Sequence, residues 1–182
     1  MNFALVFKEL LEKFNAQEVR YALIGGFALH VAGFTRATKD IDFLVESEDM
    51  DKVKGIMKQL GYELTHESPE FLNYWHPMAP LGCVDYLHAR RIYTRKMLSR
   101  AQKHKILENF EVPVLIPEDI IGLKVQSMVN DPKRRSLDMA DIEFLLSENL
   151  DGVDMAIVEE YFSLFGLDDQ LKDLLTRIRN AQ

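Results

Sequence analysis

The spacing of apolar residues changes along the chain, from short alternating runs mixed with helical periods to helical periods alone, at about residue 117. Before that point, the apolar or alternating runs that predict strands lie at 20–25, 40–45, 62–66, 71–76, 83–88 and 112–116. Spacings of three and four residues predict helices at 3–15, 27–31, 49–60 and 92–102. From Pro117 onward, the same spacing predicts helices at 117–129, 136–147, 153–165 and 169–179.

This order of elements predicts an α/β fold of the α+β kind, in which a small mixed β-sheet is flanked by helices. We expect the sheet core to occupy residues 1–116 and a helical C-terminal region, residues 117–182, to pack on it. Trp75 and Tyr74 lie in a predicted strand, and we expect both in the core or in the wall of a pocket.

The composition of the 182-residue chain is that of a globular protein, with 47% hydrophobic and 28% charged residues. That apolar content argues against a disordered chain, and no apolar run is long enough for a membrane span. Charged residues between Lys8 and Lys13 interrupt the stretch where a signal peptide needs an apolar core. The single cysteine, Cys83, excludes an intrachain disulfide and lies in no recognisable motif, so we expect a cytoplasmic protein without a membrane partner.

Asp40 and Asp42 are the first candidates for chemistry, because side chains two apart on a strand point the same way. Ile41 and Phe43 would then lie on the opposite face. Two adjacent carboxylates repel each other unless a cation lies between them, and Mg²⁺ suits such oxygen ligands. The alternative is a solvated strand at the sheet edge with two ordinary surface acids.

Gly25 and Gly26 follow the strand predicted at 20–25 and open a helix. Glycines at such a turn allow the backbone to approach a ligand, and the free N–H groups of a helix start favour an anion. The alternative is an ordinary turn. Beside a paired-carboxylate metal site, a phosphate-binding turn is what a nucleoside triphosphate with Mg²⁺ requires.

The segment LIGGFALHVAGFTRATKDIDFLV, residues 23–45, resembles the signature of the nucleotidyltransferase superfamily with the DNA polymerase β-like fold. Its local form, with Arg36, Thr38 and Asp40 at alternate positions, looks like the branch of abortive-infection (AbiEii-type) toxin nucleotidyltransferases. The resemblance implies a small mixed-sheet nucleotidyltransferase core that moves a nucleoside monophosphate from an NTP to an acceptor hydroxyl or phosphate, with Mg²⁺ or Mn²⁺. A toxin of this branch would act on RNA and have an antitoxin partner.

The resemblance also implies a third metal carboxylate on a later strand, and Asp85 in the run CVDYLH is the candidate. Asp85 is the only carboxylate between Glu70 and Glu108, and it lies in an apolar strand. The alternative is an acid that faces solvent. With Gly25 and Gly26, the resemblance assigns Arg36 and Thr38 to nucleotide binding.

Lys124 lies four residues from both Ile120 and Met128, inside an apolar helical stripe. The resemblance implies that its ammonium group reaches the triphosphate. A charge among apolar residues needs a partner, so an ion pair with Asp138 or Asp141 is the alternative, and both interpretations can hold.

A segment without carboxylates, residues 86–107, carries seven Lys and Arg residues on a chain of net charge −7. Its part from 90 to 105 is either a solvated helix face or a binding surface for acceptor RNA or triphosphate. Three other functions stay open. They are a small-molecule (aminoglycoside-type) nucleotidyltransferase, a nucleotide-binding module without turnover, and an interaction domain whose acids are incidental.

Overall fold

The computed structural model describes residues 1–149 and 152–181 of the chain. It divides into two compact units. The first, called the sheet unit here, combines Met1–Val31 with Thr35–Leu115. The second, called the helical unit, combines Ala32–Phe34 with the chain from Ile116 onward.

All seven strands of the described chain belong to the sheet unit. They are β1 (Tyr21–Ile24), β2 (Asp40–Glu46), β3 (Glu63–Glu67), β4 (Phe71–Trp75), β5 (Cys83–Ala89), β6 (Gln102–Ile106) and β7 (Phe110–Val114). The sheet unit also contains α1 (Phe3–Ala16), α2 (Gly25–Val31), α3 (Met50–Gln59) and α4 (Ile92–Arg100). The helical unit contains α5 (Pro117–Asn130), α6 (Arg135–Asn149), α7 (Met155–Ser163) and α8 (Asp168–Ala181).

The seven strands form one mixed sheet in the order β3-β4-β5-β2-β1-β7-β6. β2 pairs antiparallel with β1 and parallel with β5, so the centre of the sheet contains both kinds of ladder. β4 continues the sheet antiparallel to β5, and β3 pairs antiparallel with β4 at that edge. The predicted mixed α/β fold with a helical C-terminal part is therefore confirmed.

One face of the sheet is an aromatic core under α1 and α3. Phe43 of β2 and Tyr86 of β5 stack with ring centroids 5.8 Å apart, and Phe14 of α1 packs edge-on against Phe43 at 5.5 Å. The Tyr86 hydroxyl also contacts the sulfur of Met57 on α3, at 3.0 Å. Burying each of these large side chains stabilises the fold by about 1.5–3 kcal/mol. This burial fixes the strand register, and the register decides which residues lie on the opposite face of the sheet.

The carboxylate-free segment 86–107, called the basic segment from here on, contains both a helix and a strand, which corrects the helix predicted at 92–102. α4 ends at Arg100, and Gln102 already begins β6, which pairs antiparallel with β7. Leu107 and Glu108 make the hairpin turn with positive φ angles of 46° and 64°. Because this turn contains no glycine and β6 is mostly polar, the usual hairpin pattern is missing from the sequence. The final strand, predicted at 112–116, lies at Phe110–Val114.

The helical unit forms around α5, which packs against α6 and α7. Pro117 occupies the first turn of α5, where its missing N–H costs nothing. Gly122 allows the Tyr161 ring to approach the helix, since a Cβ at that position would lie 2.7 Å from the ring. The Tyr161 hydroxyl then donates to Asp119 at 2.7 Å. None of the helices in the described residues is both long and apolar enough to cross a membrane.

Candidate active site

Three carboxylates meet on the face of the sheet opposite the aromatic core. In the parallel pairing of β2 with β5, Asp42 lies directly beside Asp85, and Asp40 lies two residues before Asp42 on the same face. Ile41 and Phe43 point to the other face and are fully buried, as the alternation in the sequence predicted. Asp40, Asp42 and Asp85, called the carboxylate triad from here on, are half-buried and offer oxygens that all lie within 4.8 Å of one another.

Gly25 and Gly26 are placed against the triad by close packing. Gly25 has a φ of +63°, and a Cβ there would lie 2.6 Å from Cγ of Asp42. A Cβ at Gly26 would lie 2.6 Å from the hydroxyl oxygen of Thr38. Gly25 therefore allows Asp42, and Gly26 allows Thr38, to approach the start of α2. The sequence interpretation did not predict this reason for the two glycines. A role for both glycines in phosphate binding stays a prediction.

Thr38 and Arg36 lie in the loop that leads into β2, and both are half-buried. The Thr38 hydroxyl lies 2.9 Å from a carboxylate oxygen of Asp40 and 3.2 Å from the Asp40 carbonyl oxygen. Thr38 therefore fixes the orientation of one member of the triad. The predicted contact of Thr38 and Arg36 with a nucleotide remains a prediction.

Within the triad, the negative charges of Asp40 and Asp85 repel each other. Burial raises the pKa of the Asp85 carboxyl, the charge of Asp40 raises it further, and a hydrogen bond from Asn73 opposes the rise. Burial likewise raises the pKa of the Cys83 thiol, and the charges of Asp85 and Asp40 add to that effect. Such a site favours a divalent cation, which relieves the repulsion between the carboxylates. Cys83, expected to have no special context, lies beside Asp40 in the β2–β5 pairing.

β4 adds two side chains to the site, Asn73, which the sequence interpretation did not assign, and Trp75. Asn73 pairs with Asp85 across β4 and β5, and Trp75 pairs with Cys83. Trp75, expected in the core or in the wall of a pocket, is 43% exposed and so does not lie in the core, whereas Leu72 and Tyr74 of the same strand are buried on the other face. The alternation of polar and apolar residues in FLNYW contains this information, but a tryptophan in a strand suggests burial first.

The basic segment contributes an open cavity of about 470 Å³ on α4, lined by Arg90, Ile92, Arg95, Lys96 and Ser99. Some of its charge is already paired, because Arg95 lies 3.3 Å from Glu46. Lys103, on β6 rather than on the helix, pairs with Glu111 at 3.1 Å. The segment therefore presents positive charge in two separate places and not along one helix face.

In the helical unit, Lys124 forms the ion pairs that were the alternative interpretation of its position. Its Nζ lies 3.1 Å from Asp138 and 2.5 Å from Asp141. Both aspartates are almost fully buried, and Arg134 also contacts Asp138, at 3.3 Å. A contact between Lys124 and a triphosphate stays a prediction.

Comparison with known proteins places the chain among nucleotidyltransferases. The model of a family described as "Uncharacterised nucleotidyltransferase" matches residues 2–177. No curated protein sequence matches the chain.

Three solved structures resemble the fold. The antibiotic-resistance factor ANT(2'')-Ia with adenylyl-2''-tobramycin has 14% identity over 91% of this chain and 99% of its own, with a TM-score of 0.64. A nucleotidyltransferase-like protein from Paracoccidioides brasiliensis has 18% identity over 97% and 91%, with a TM-score of 0.58. The lincomycin-bound lincosamide adenylyltransferase LnuA has 19% identity over 78% and 96%, with a TM-score of 0.55. At these identities the likeness is one of fold.

Proposed function

The chain belongs to a family of uncharacterised nucleotidyltransferases and is a transferase enzyme, and from that premise we propose that it moves a nucleoside monophosphate from an NTP to an acceptor hydroxyl. The observation that carries this proposal is the convergence of three carboxylates, with oxygens within 4.8 Å of one another, on one face of the sheet. Ordinary surface acids spread apart, whereas these are held together by strand pairing and by the packing of Gly25.

The triad fits a hard divalent cation such as Mg²⁺ or Mn²⁺. It supplies carboxylate oxygens only, which are the ligands that such ions prefer. Because Gly25 has no side chain, the space that a Cβ would fill is available to the Asp42 carboxylate. Asp40 and Asp42 would hold the ions together with Asp85. When bound, such ions neutralise the charge that develops on the triphosphate and favour ionisation of the acceptor hydroxyl.

The residues of the chain have separate tasks in this reaction. The acceptor oxygen bonds to the α-phosphorus, the bond from that phosphorus to the β-phosphate oxygen breaks, and pyrophosphate leaves. Asp85 takes the proton of the acceptor hydroxyl, a task that suits a carboxylate placed beside the reacting centre. Gly25, Gly26 and Arg36 bind the phosphates, and Thr38 holds Asp40 in position. Lys124 remains a candidate contact for the triphosphate.

The experiment is transfer of label from each α-³²P NTP, with Mg²⁺ or Mn²⁺, to a mixture of RNA and small hydroxyl-bearing molecules. We expect labelled product and free pyrophosphate from the wild type. Asp42→Asn and Asp85→Asn should each lose about 100-fold or more of the rate. Asp51→Asn, which changes an exposed acid on α3, is the matched control. NTP binding without pyrophosphate release would instead indicate a nucleotide-binding module.

RNA is one candidate acceptor, and the cavity on α4 favours it. Asp42 and Glu46 are four residues apart on one face of β2, roughly 13 Å along the strand, and Arg95 contacts Glu46. The basic cavity is therefore on the same face as the triad. Arg90→Gln with Lys96→Gln should weaken tRNA binding and flatten its salt dependence, whereas Lys103→Gln on β6 should have little effect. An RNA-directed toxin with an antitoxin partner rests on the sequence resemblance, and growth arrest that Asp42→Asn abolishes would support it.

A small molecule is the second candidate acceptor. Two of the proteins with a similar fold are an antibiotic-resistance factor with a bound adenylylated tobramycin and a lincosamide adenylyltransferase. In this chain the candidate is favoured by the strands beside Asp85, which carry acids and exposed aromatic side chains.

A further inference from the structure

The edge of the sheet beyond Asp85 exposes aromatic surface on the same face as the triad. Residues that pair across neighbouring strands share a face, so Asn73 and Trp75 of β4 lie on the triad side with Asp85 and Cys83. Phe71, which pairs with Leu87, lies on that face as well. Trp75 and Phe71 are 43% and 46% exposed, although large aromatic side chains usually bury most of their surface. The two rings flank Asn73, whose side chain is hydrogen-bonded to Asp85.

The order of the strands places this surface on the acceptor side of the reaction. Gly25 and Gly26 follow β1, on one side of Asp42, while β5 and β4 lie on the other side. In phosphoryl transfer the attacking and leaving oxygens are roughly in line across the phosphorus. If the pyrophosphate leaves toward the glycines, the acceptor approaches from β5 and β4. Asn73 and Trp75 are then the next side chains that it meets after Asp85.

The charge on strands β3, β4 and β5 disfavours a polyanion at this part of the face. In the described strands β3, β4 and β5, the side chains on the triad face include two acids and neither lysine nor arginine. They are Glu63, His66, Phe71, Asn73, Trp75, Cys83, Asp85, Leu87 and Ala89. An RNA backbone would lie against negative charge here, whereas an indole and an amide suit a ring that bears hydroxyl groups. Glu63, which pairs with Trp75, favours an amine on that ring.

We propose that Trp75 and Asn73 form an acceptor subsite for a small polyhydroxylated ring, neutral or amine-bearing, which lies against the indole while its reacting hydroxyl faces Asp85. This inference rests on the proposed function and names the acceptor class for the same site. Asn73 contacts both the acceptor ring and Asp85, since its amide can hydrogen-bond the ring and is already hydrogen-bonded to Asp85. Phe71 forms the second wall.

Trp75 is the only tryptophan in the chain, so all indole fluorescence reports on this one position. The test is acrylamide quenching of Trp75 in the full chain, with Mg²⁺ and a non-hydrolysable NTP analogue. Tobramycin and lincomycin serve as small ring-bearing probes, and tRNA serves as the polyanionic probe. We expect saturable protection of Trp75 by at least one small probe. Asn73→Ala should weaken that protection about 10-fold, and Leu64→Ala should leave it unchanged.

Leu64 is the matched control because it is 44% exposed on the same sheet edge and pairs with Tyr74, on the opposite face. In the transfer reaction, Trp75→Ala should raise KM for the acceptor about 10-fold with the affinity for NTP unchanged, and Trp75→Phe should restore most of the loss. The conservative variant separates stacking from a general effect on the fold.

Two results would overturn the subsite. One is that neither small probe protects Trp75, and the other is that tRNA alone protects it. Failure of the proposed function looks different, because Trp75 would then be protected by a small ring while no label is transferred with any NTP. Transfer to a small acceptor with an unchanged KM in Trp75→Ala would keep the function and reject the subsite.

Discussion

The sheet unit and the helical unit each gather aspartates at buried or half-buried positions, but the two clusters differ in how closely their carboxylates approach one another. Asp138 and Asp141 share the ammonium of Lys124, and Arg134 adds a second cation. The carboxylate triad instead brings three acids within 4.8 Å, and the negative charge of Asp40 raises the pKa of Asp85. Residue type is the same in both places, so the crowding of three carboxylates distinguishes the candidate metal site from the cluster in which two aspartates share one ammonium group.

The two clusters should differ in how the loss of a charged group affects stability. Removing one partner from a compensated buried cluster leaves an unpaired charge and is strongly destabilising. Neutralising Asp85 instead relieves its repulsion with Asp40 and should cost little. The two units should therefore respond in opposite directions to loss of a charged group.

The largest expected effect is that of Lys124→Met, which leaves Asp138 and Asp141 without their shared cation. We expect a loss of about 3–5 kcal/mol in the free energy of unfolding, measured by urea denaturation. Lys133→Met, at an exposed lysine in the turn before α6, is the control and should change stability by less than about 0.5 kcal/mol. A loss of transfer activity with unchanged stability would instead assign Lys124 to the triphosphate.

Gly25→Ala should have the next largest effect, because it adds a left-handed backbone penalty to a collision with Asp42. We expect a loss of about 2–4 kcal/mol, against about 1–2 kcal/mol for Gly166→Ala. Gly166 has a φ of +64° and open space around it, so it measures the backbone penalty alone. The double variant Gly25→Ala/Asp42→Ala should recover the difference between the two. An equal loss in both glycine variants would show that Asp42 does not constrain the turn.

Asp85→Asn should be neutral or stabilising by up to about 1 kcal/mol without divalent metal, since burial and the charge of Asp40 disfavour the ionised form of Asp85. Mg²⁺ with an NTP analogue should raise the Tm of the wild type by mass action and should raise that of the variant little. Thermal unfolding with and without EDTA measures both effects. If the variant is destabilised in EDTA by as much as Lys124→Met, the contrast between the two clusters is wrong.

The smallest expected effect is on the pH dependence of stability, and it arises from the imidazole of His88. Nε2 of His88 is buried without a hydrogen-bond partner among the described residues. Burial lowers the pKa of His88, and the positive charges of Arg90 and Lys54 lower it further, against the opposing charges of Glu67 and Glu70. The folded state therefore binds this proton less well than the unfolded chain, so stability falls as the pH drops below about 6.5. In His88→Leu, urea titrations at pH 7.5 and 5.5 should differ less than in the wild type.

Much of the site could be predicted because strand alternation is a strong constraint. Asp40 and Asp42 share a face with Ile41 and Phe43 opposite, since a shift by one residue would expose the aromatic core. The pairing of Asp42 with Asp85 could not be derived from local pattern, because it depends on the parallel register between two strands whose paired residues are 43 positions apart in sequence. The sequence resemblance suggested Asp85, and the register brings it beside Asp42.

Other features could not be predicted from the sequence because their local patterns are weak or ambiguous. The β6–β7 hairpin turns at Leu107 and Glu108 without glycine, so the sequence lacks the residue that usually indicates such a turn. The exposure of Trp75 follows from its place near a sheet edge, which tertiary pairing alone decides. Gly25 and Gly26 fitted a phosphate-binding turn, whereas their closest neighbours are the side chains of Asp42 and Thr38.

The central claim is that the triad binds a divalent cation, and Mn²⁺ binding followed by electron paramagnetic resonance tests it most directly. The titration uses the full chain with a non-hydrolysable NTP analogue and compares the wild type with Asp42→Asn, Asp85→Asn and the surface control Asp51→Asn. We predict saturable loss of the free Mn²⁺ spectrum for the wild type and Asp51→Asn, and at least about 10-fold weaker binding for both triad variants. Mn²⁺ bound as tightly by Asp42→Asn as by the wild type would contradict the account.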